Sequence, residues 1–367
     1  MAKTTRTKEA TSIAPAHDPF EAALWPVGHG VAPRTLRCRA CEGRNRVAVP
    51  AAVLTPERHS CGHCSEPLFL TTDEPLTRIA SSAYQHSLDR RSLSALSSLP
   101  GATRVIRWML GSVGDRSAHL QFMSDAILCG EDQFPELLTL MERARHSLDM
   151  PKRPTIFLGE SPHMNAVTTG VDDPVIMVRS ALLDQMGDDE LVAILGHELG
   201  HLHANHPLYL TVARTLMQGG MNASHLVRLL GMPLHTALMG WSRCAELTAD
   251  RAALLASRDL RACISMMLTF AGGRRPGTSN RTQMHLAPFI RQCRELAKLQ
   301  SNYSVDGLLG TYMALDRSHP HLAWRVMHLL QWVEHGSYLE ILTGRYPRRV
   351  GPPGPEPRFL TTNTNLN

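Results

Sequence analysis

The chain has 367 residues, of which 43% are hydrophobic and 19% charged, so it carries enough apolar side chain to bury a sizeable core and is no disordered polymer. A formal charge of +5 comes from basic residues scattered along the chain, and charge alone gives no ground for a nucleic-acid partner.

Residues 1–30 read as a disordered polar leader. Met1 to His17 lacks the apolar stretch of about 7–15 residues that a secretory signal needs. Export is not expected, and a cytoplasmic setting is. Residues 31–72 form a short module with two tight cysteine pairs: Cys38-x-x-Cys41, nineteen residues, then Cys61-x-x-Cys64. This spacing matches a structural zinc site in which two chelating turns supply four thiolates. Redox-active or free cysteine pairs are the alternative. The basic edge of the module, Arg34, Arg37, Arg39, Arg44 and Arg46, is read as a solvated face. The other four cysteines, Cys129, Cys244, Cys263 and Cys293, stand alone and read as small hydrophobes.

Pro67 and Pro75 punctuate the passage into a second domain over 76–345. From Ile79 to Met150 the pattern is helical, with apolar residues at Phe134, Leu137, Leu138, Met141 and Ala144 recurring at three and four. Three short extended segments follow, Thr155 to Leu158, Asn165 to Thr169 and Val175 to Val178, set apart by Gly159, Pro162, Gly170 and Pro174. Asp188 is the expected N-cap of a helix with Asp189 and Glu190 in its first turn and Leu191, Ile194, Leu195, Leu199 and Leu202 on one face. Leu208 to Trp241 is apolar but interrupted by Arg214, Arg228 and two histidines, which leaves no uncharged run of about 18 residues to span a membrane. Amphipathic helices are the reading there, with peripheral membrane contact through 208–241 as the alternative. Residues 346–367 are Pro-, Asn- and Thr-rich and read as a disordered tail. The fold class is therefore α+β, mainly helical, with a small mixed sheet.

The chemistry centres on His197-Glu198-Leu199-Gly200-His201. Residues four apart on a helix lie about 40° apart around its axis, so both imidazoles can converge on one zinc ion. Glu198 beside them is the candidate general base for the attacking water. A third histidine ligand at the longer spacing is excluded, because Ala204 and Pro207 stand where Gly and His are needed. His203 and His206 read as surface residues near the helix end. Glu246 on a second helix is the candidate third ligand. Asp250, one turn on, could take the free imidazole N–H of a ligand histidine. On spacing alone, an ordinary solvated acidic face is the alternative for this pair.

Residues 85–340 resemble the HtpX-like and CaaX prenyl protease type of gluzincin metallopeptidases. Several blocks carry the likeness in order: Gln133-Phe134-Pro135-Glu136-Leu137, Asn165-Ala166 with Gly170, the His197 to His201 motif, Glu246 with Asp250, and Ser318-His319-Pro320 with Arg325. The resemblance implies a zinc-dependent endopeptidase acting on peptide or protein substrates. It further implies that Asn165 and Ala166 lie on an edge strand that binds the substrate backbone, and that His319 and Arg325 support the oxyanion or the ligand shell. Trp324 departs from the pattern, since an acidic residue commonly precedes the arginine. The class-level alternative is a zinc-ribbon adaptor whose peptidase-like domain turns over slowly or not at all.

Overall fold

The computed structural model describes residues 8–9, 18–26, 28–97, 115–170, 173–210, 225–273, 284–302 and 321–350. His319 and most of the 208–224 stretch lie outside the described residues.

A two-residue strand β1 (Lys8–Glu9) comes first, then helix α1 (Pro19–Leu24). The Asp18 carboxylate accepts the Phe20 amide at 2.9 Å, and Pro19 suits the first helical position. Phe20, Ala23 and Leu24, at helical spacing, are buried against the helix Leu286–Asn302. The leader expected over 1–30 is thus structured from Asp18 onward. A six-residue helix carries too few repeats for periodicity to reveal it.

Strands β2 (Arg34–Arg37) and β3 (Arg44–Val47) pair antiparallel, with β1 parallel on the other edge of β3. Helix α2 (Val49–Leu54) follows. Leu36, Val47, Val49 and Val53 are continuous with the core that holds Leu339 and Leu342, and the Leu70 amide donates to the Leu342 carbonyl at 2.7 Å. The boundary expected near residue 73 is therefore no break in packing. Among the described residues the cysteine module is continuous with the main apolar core, and Phe157, Val175 and Met177 form a separate small cluster.

Helices α3 (Ser87–Ser97) and α4 (Asp115–Asp125) lead to strand β4 (Ile127–Leu128) and helix α5 (Pro135–Ser147). On α5 the buried residues Leu137, Leu138, Met141 and Ala144 follow the predicted period. Strand β4 interrupts the helical expectation for 79–150, since two residues are too few for an alternating pattern. Strands β5 (Thr155–Gly159), β6 (Ala166–Thr169) and β7 (Val175–Arg179) complete a mixed sheet of order β4-β5-β7-β6, with β5 and β7 parallel and β6 on the edge.

After the short α6 (Ser180–Gln185) comes α7 (Asp188–His203). Its N-cap is Gly187, one residue before the expected Asp188, because the Glu190 carboxylate reaches back to accept the Gly187 amide at 2.7 Å. The remaining helices are α8 (His225–Ser257), α9 (Leu260–Gly272), α10 (Leu286–Asn302), α11 (Leu322–Glu334) and α12 (Ser337–Leu342). Among the described residues, no helix is long and apolar enough to cross a membrane.

The crossing of α7 and α8 positions the site. Gly196 and Gly200 lie on one side of α7, and a Cβ at either would overlap the methyl of Ala256 or Ala252 on α8. At Gly200 the added carbon would also sit 3.1 Å from Ala249 Cα. Small residues on both helices let the backbones approach, which brings Glu246 of α8 to the histidines of α7.

Candidate metal centres

His197, Glu198, His201, Glu246, Asp250 and Arg325 are all buried. His197 Nε2 lies 3.2 Å from His201 Nε2 and 3.5 Å from Glu246 Oε2, while His201 Nε2 lies 3.4 Å from Glu246 Oε1. Tetrahedral ligands bound to zinc at about 2.0–2.1 Å are separated by roughly 3.3–3.4 Å. The three donor atoms are therefore spaced as one face of a zinc tetrahedron would be. Charge fits as well. Three buried carboxylates, Glu198, Glu246 and Asp250, surround the buried guanidinium of Arg325, and a divalent cation closes the balance.

The ligand histidines are held from behind. Asp250 Oδ1 accepts from His197 Nδ1 at 3.1 Å, which leaves the Nε2 lone pair facing the site. Arg325 grips Asp250 through Nε at 2.8 Å and Nη2 at 2.5 Å, and its Nη1 lies 3.1 Å from Glu246 Oε2. Burial alone would raise the Asp250 carboxyl, but the Arg325 guanidinium beside it holds it below the usual range. Burial likewise disfavours charge on His197, yet Asp250 and Glu246 outweigh it and push the imidazole up to about 9. The pocket draws positive charge to that point. The Arg325 guanidinium is thus engaged by Asp250 and Glu246.

His203 and His206 are not surface residues; both are buried. His203, at the end of α7, meets the Tyr84 hydroxyl through Nδ1 at 2.7 Å, and the chain turns inward after the helix so that His206 Nδ1 meets His201 Nδ1 at 2.9 Å. His206 Nε2 in turn faces Asp89 Oδ2 at 3.3 Å. Asp89 also accepts from Trp241 Nε1 at 2.8 Å, Thr248 Oγ1 at 2.7 Å and Gln85 Nε2 at 3.2 Å. Burial works against its charge, but these donors, His206 first among them, bring its carboxyl down to about 2.

Strand β6 lies against α7, and the Thr168 hydroxyl donates to Glu198 Oε2 at 2.5 Å. Ala166 and Thr168 are buried on one face of β6, with Val167 and Thr169 half-buried on the other. Asn165, just before the strand, is exposed, and its carbonyl accepts the Arg179 amide at 3.0 Å. Sequence reasoning passed over Asp89, Thr168 and Trp241. Asp89 stands among polar neighbours, Gln85, His86, Ser87, Arg90 and Arg91, so its sequence context gave no signal.

The four module cysteines also converge, each donor within 4.8 Å of the others. Cys38 Sγ to Cys64 Sγ and Cys41 Sγ to Cys61 Sγ are both 3.7 Å, against about 3.8 Å for thiolates bound tetrahedrally at ~2.3 Å. Amides of Ala40 and His63 point at Cys38 and Cys61 sulfur at 3.3 and 3.4 Å, and the buried Asn45 side chain donates to Cys61 at 3.4 Å. Burial opposes a Cys61 thiolate, yet the amides of His63 and Cys64 and the Asn45 side chain bring its pKa down to about 6.

A mainly helical fold with a small mixed sheet, and a helix bearing two histidines beside a glutamate on the neighbouring helix, define the metallopeptidase class. The comparisons agree. The model of peptidase family M48 matches residues 131–333, and the chain belongs to that family of zinc-dependent metallopeptidases. It is 29% identical over 265 residues to the plastoglobule-localized metallopeptidase 48, chloroplastic, of Arabidopsis thaliana, covering 71% of this chain and 74% of that one. It is 30% identical over 173 residues to the protease HtpX homolog of Salinibacter ruber, covering 41% of this chain but only 62% of that relative. Ste24p of S. mikatae, a solved structure, aligns with a TM-score of 0.27 at 23% identity over 52% of this chain and 49% of that chain.

Proposed function

We propose that this protein is a zinc-dependent endopeptidase in which His197, His201 and Glu246 hold the catalytic zinc and Glu198 is the general base. The observation that carries the reading is the triangle of donor atoms at 3.2, 3.4 and 3.5 Å, beside a buried carboxylate that belongs to none of its corners. When bound, zinc would polarise the scissile carbonyl and make water a nucleophile near neutral pH.

The chain's own residues supply the rest. The Thr168 hydroxyl holds Glu198 Oε2, which leaves Oε1 to take the proton of the attacking water and pass it to the leaving amine. Asp250 and Arg325 fix His197. The edge position of β6 supports strand addition by the substrate backbone alongside Asn165 and Ala166, with main-chain hydrogen bonds giving affinity. Arg325 serves as a positioning residue, and His319 remains in the proposal on the resemblance alone. The four cysteines hold a second, structural zinc. A cytoplasmic setting with peripheral membrane contact through 208–241 belongs to the same proposal; the words "plastoglobule-localized" in the name of the Arabidopsis relative support the peripheral association alone.

Treating the purified chain with a zinc chelator is expected to stop cleavage of an unfolded protein substrate such as casein, and added zinc to restore it. Cleavage that persists in the chelated protein, with its zinc shown to be gone, would overturn the reading.

A further inference from the structure

His201 is held by a longer chain of groups than His197. Its Nδ1 lies 2.9 Å from His206 Nδ1, and His206 Nε2 lies 3.3 Å from Asp89 Oδ2. Asp89 is fully buried at the first turn of α3 and is gripped by Trp241 and Thr248 of α8. Three helical elements thus meet at one carboxylate behind the site. An ionised carboxylate only accepts hydrogen bonds, and that fact sets the direction of every proton in the row. His206 must carry its proton on Nε2 to donate to Asp89, so His206 Nδ1 is an acceptor. His201 must then carry its proton on Nδ1 and donate it to His206. What remains on His201 Nε2 is a lone pair, directed at His197 Nε2 and Glu246, where a metal ligand needs one.

We propose that Asp89 and His206 are positioning residues that fix His201 in the tautomer able to bind zinc, and that they thereby set the zinc affinity of this site. The inference rests on the metal site proposed above. It goes beyond it in assigning a role to two residues that touch neither metal nor substrate, one of them 112 positions from His201 in sequence (201 − 89).

Asp89→Leu tests the proton direction with almost no change of shape. An Asn would be a poor test, because its one oxygen at the Oδ2 position would still accept from His206, Thr248 and Gln85. With no acceptor facing His206 Nε2, nothing holds the His206 proton there, and His201 is free to carry its own proton on Nε2, where it blocks the metal. The measurement is zinc affinity of the full chain by competition with a chromophoric chelator. A His197→Ala/His201→Ala variant defines the contribution of the cysteine site. Asp89→Leu and His206→Leu are expected to weaken zinc binding at the histidine site about 10–100-fold. His206→Asn, whose side-chain oxygen can stand where Nδ1 accepts, is expected to recover much of that loss. Mere packing would not rank Asn above Leu at this buried position.

Affinity within about threefold of wild type in Asp89→Leu would overturn the proposal, as would equal losses in His206→Leu and His206→Asn. If wild type binds no more zinc than the double variant, the proposed metal site itself fails. The two failures are thereby told apart.

Discussion

Glu198→Gln is expected to lower the peptide-cleavage rate by about 10²–10⁴-fold while leaving the zinc content and the thermal midpoint close to wild type. The amide keeps the shape of the carboxylate and can still accept the Thr168 hydroxyl at Oε2's position, but it cannot take a proton from water. Glu198 is buried and sits on no corner of the donor triangle, so the loss should fall on kcat rather than on metal content. Rates from the same preparations, with zinc measured on each, check this. A variant that keeps wild-type turnover would remove Glu198 as the base. One that loses zinc along with activity would move it into the ligand set.

The second large effect is expected at the cysteine site. Cys61→Ser should lower the thermal midpoint by roughly 10 °C or more, or prevent soluble folding, because a structural zinc site contributes folding free energy directly. The effect should reach the whole chain, since Leu36 and Val47 flanking the site belong to the same core as Leu339 and Leu342. Cys129→Ala, at a buried but isolated thiol, is the control and should shift the midpoint by only a few degrees. Equal shifts in the two variants, measured by thermal denaturation, would reduce the four cysteines to packing residues.

Local spacing made part of this molecule legible in its sequence. His197 and His201 lie four residues apart on one helix, and the Cys-x-x-Cys pairs each close a single turn, so the sequence itself carries their geometry. Glu246 and Asp250 could be named because they too sit one turn apart. Strands β5, β6 and β7 fall where short apolar runs are bounded by Gly and Pro. What escaped depends on distant segments meeting. Asp89, His206 and Trp241 converge only once α3, α7 and α8 pack, and no spacing records that. His203 and His206 sit beyond the apolar run of α7 and so read as surface, yet His203 at the helix end faces Tyr84 and the turn after the helix carries His206 inward. Thr168 gains meaning only from the apposition of β6 and α7. The close approach of α7 and α8 did leave a trace, in Gly196 and Gly200 one turn apart facing Ala249, Ala252 and Ala256. Small residues so repeated are the imprint of two backbones in contact. The continuity of the cysteine module with the main core was hidden as well, because composition shifts near residue 73 while the packing does not.

Zinc per chain, by elemental analysis of wild type and of the His197→Ala/His201→Ala variant, tests the central claim most directly. The account predicts about two zinc ions in the wild type and about one in the variant, the remaining ion held by Cys38, Cys41, Cys61 and Cys64. A wild type with one zinc that the double substitution leaves in place would contradict it, for the helix of His197 and His201 would then hold no metal.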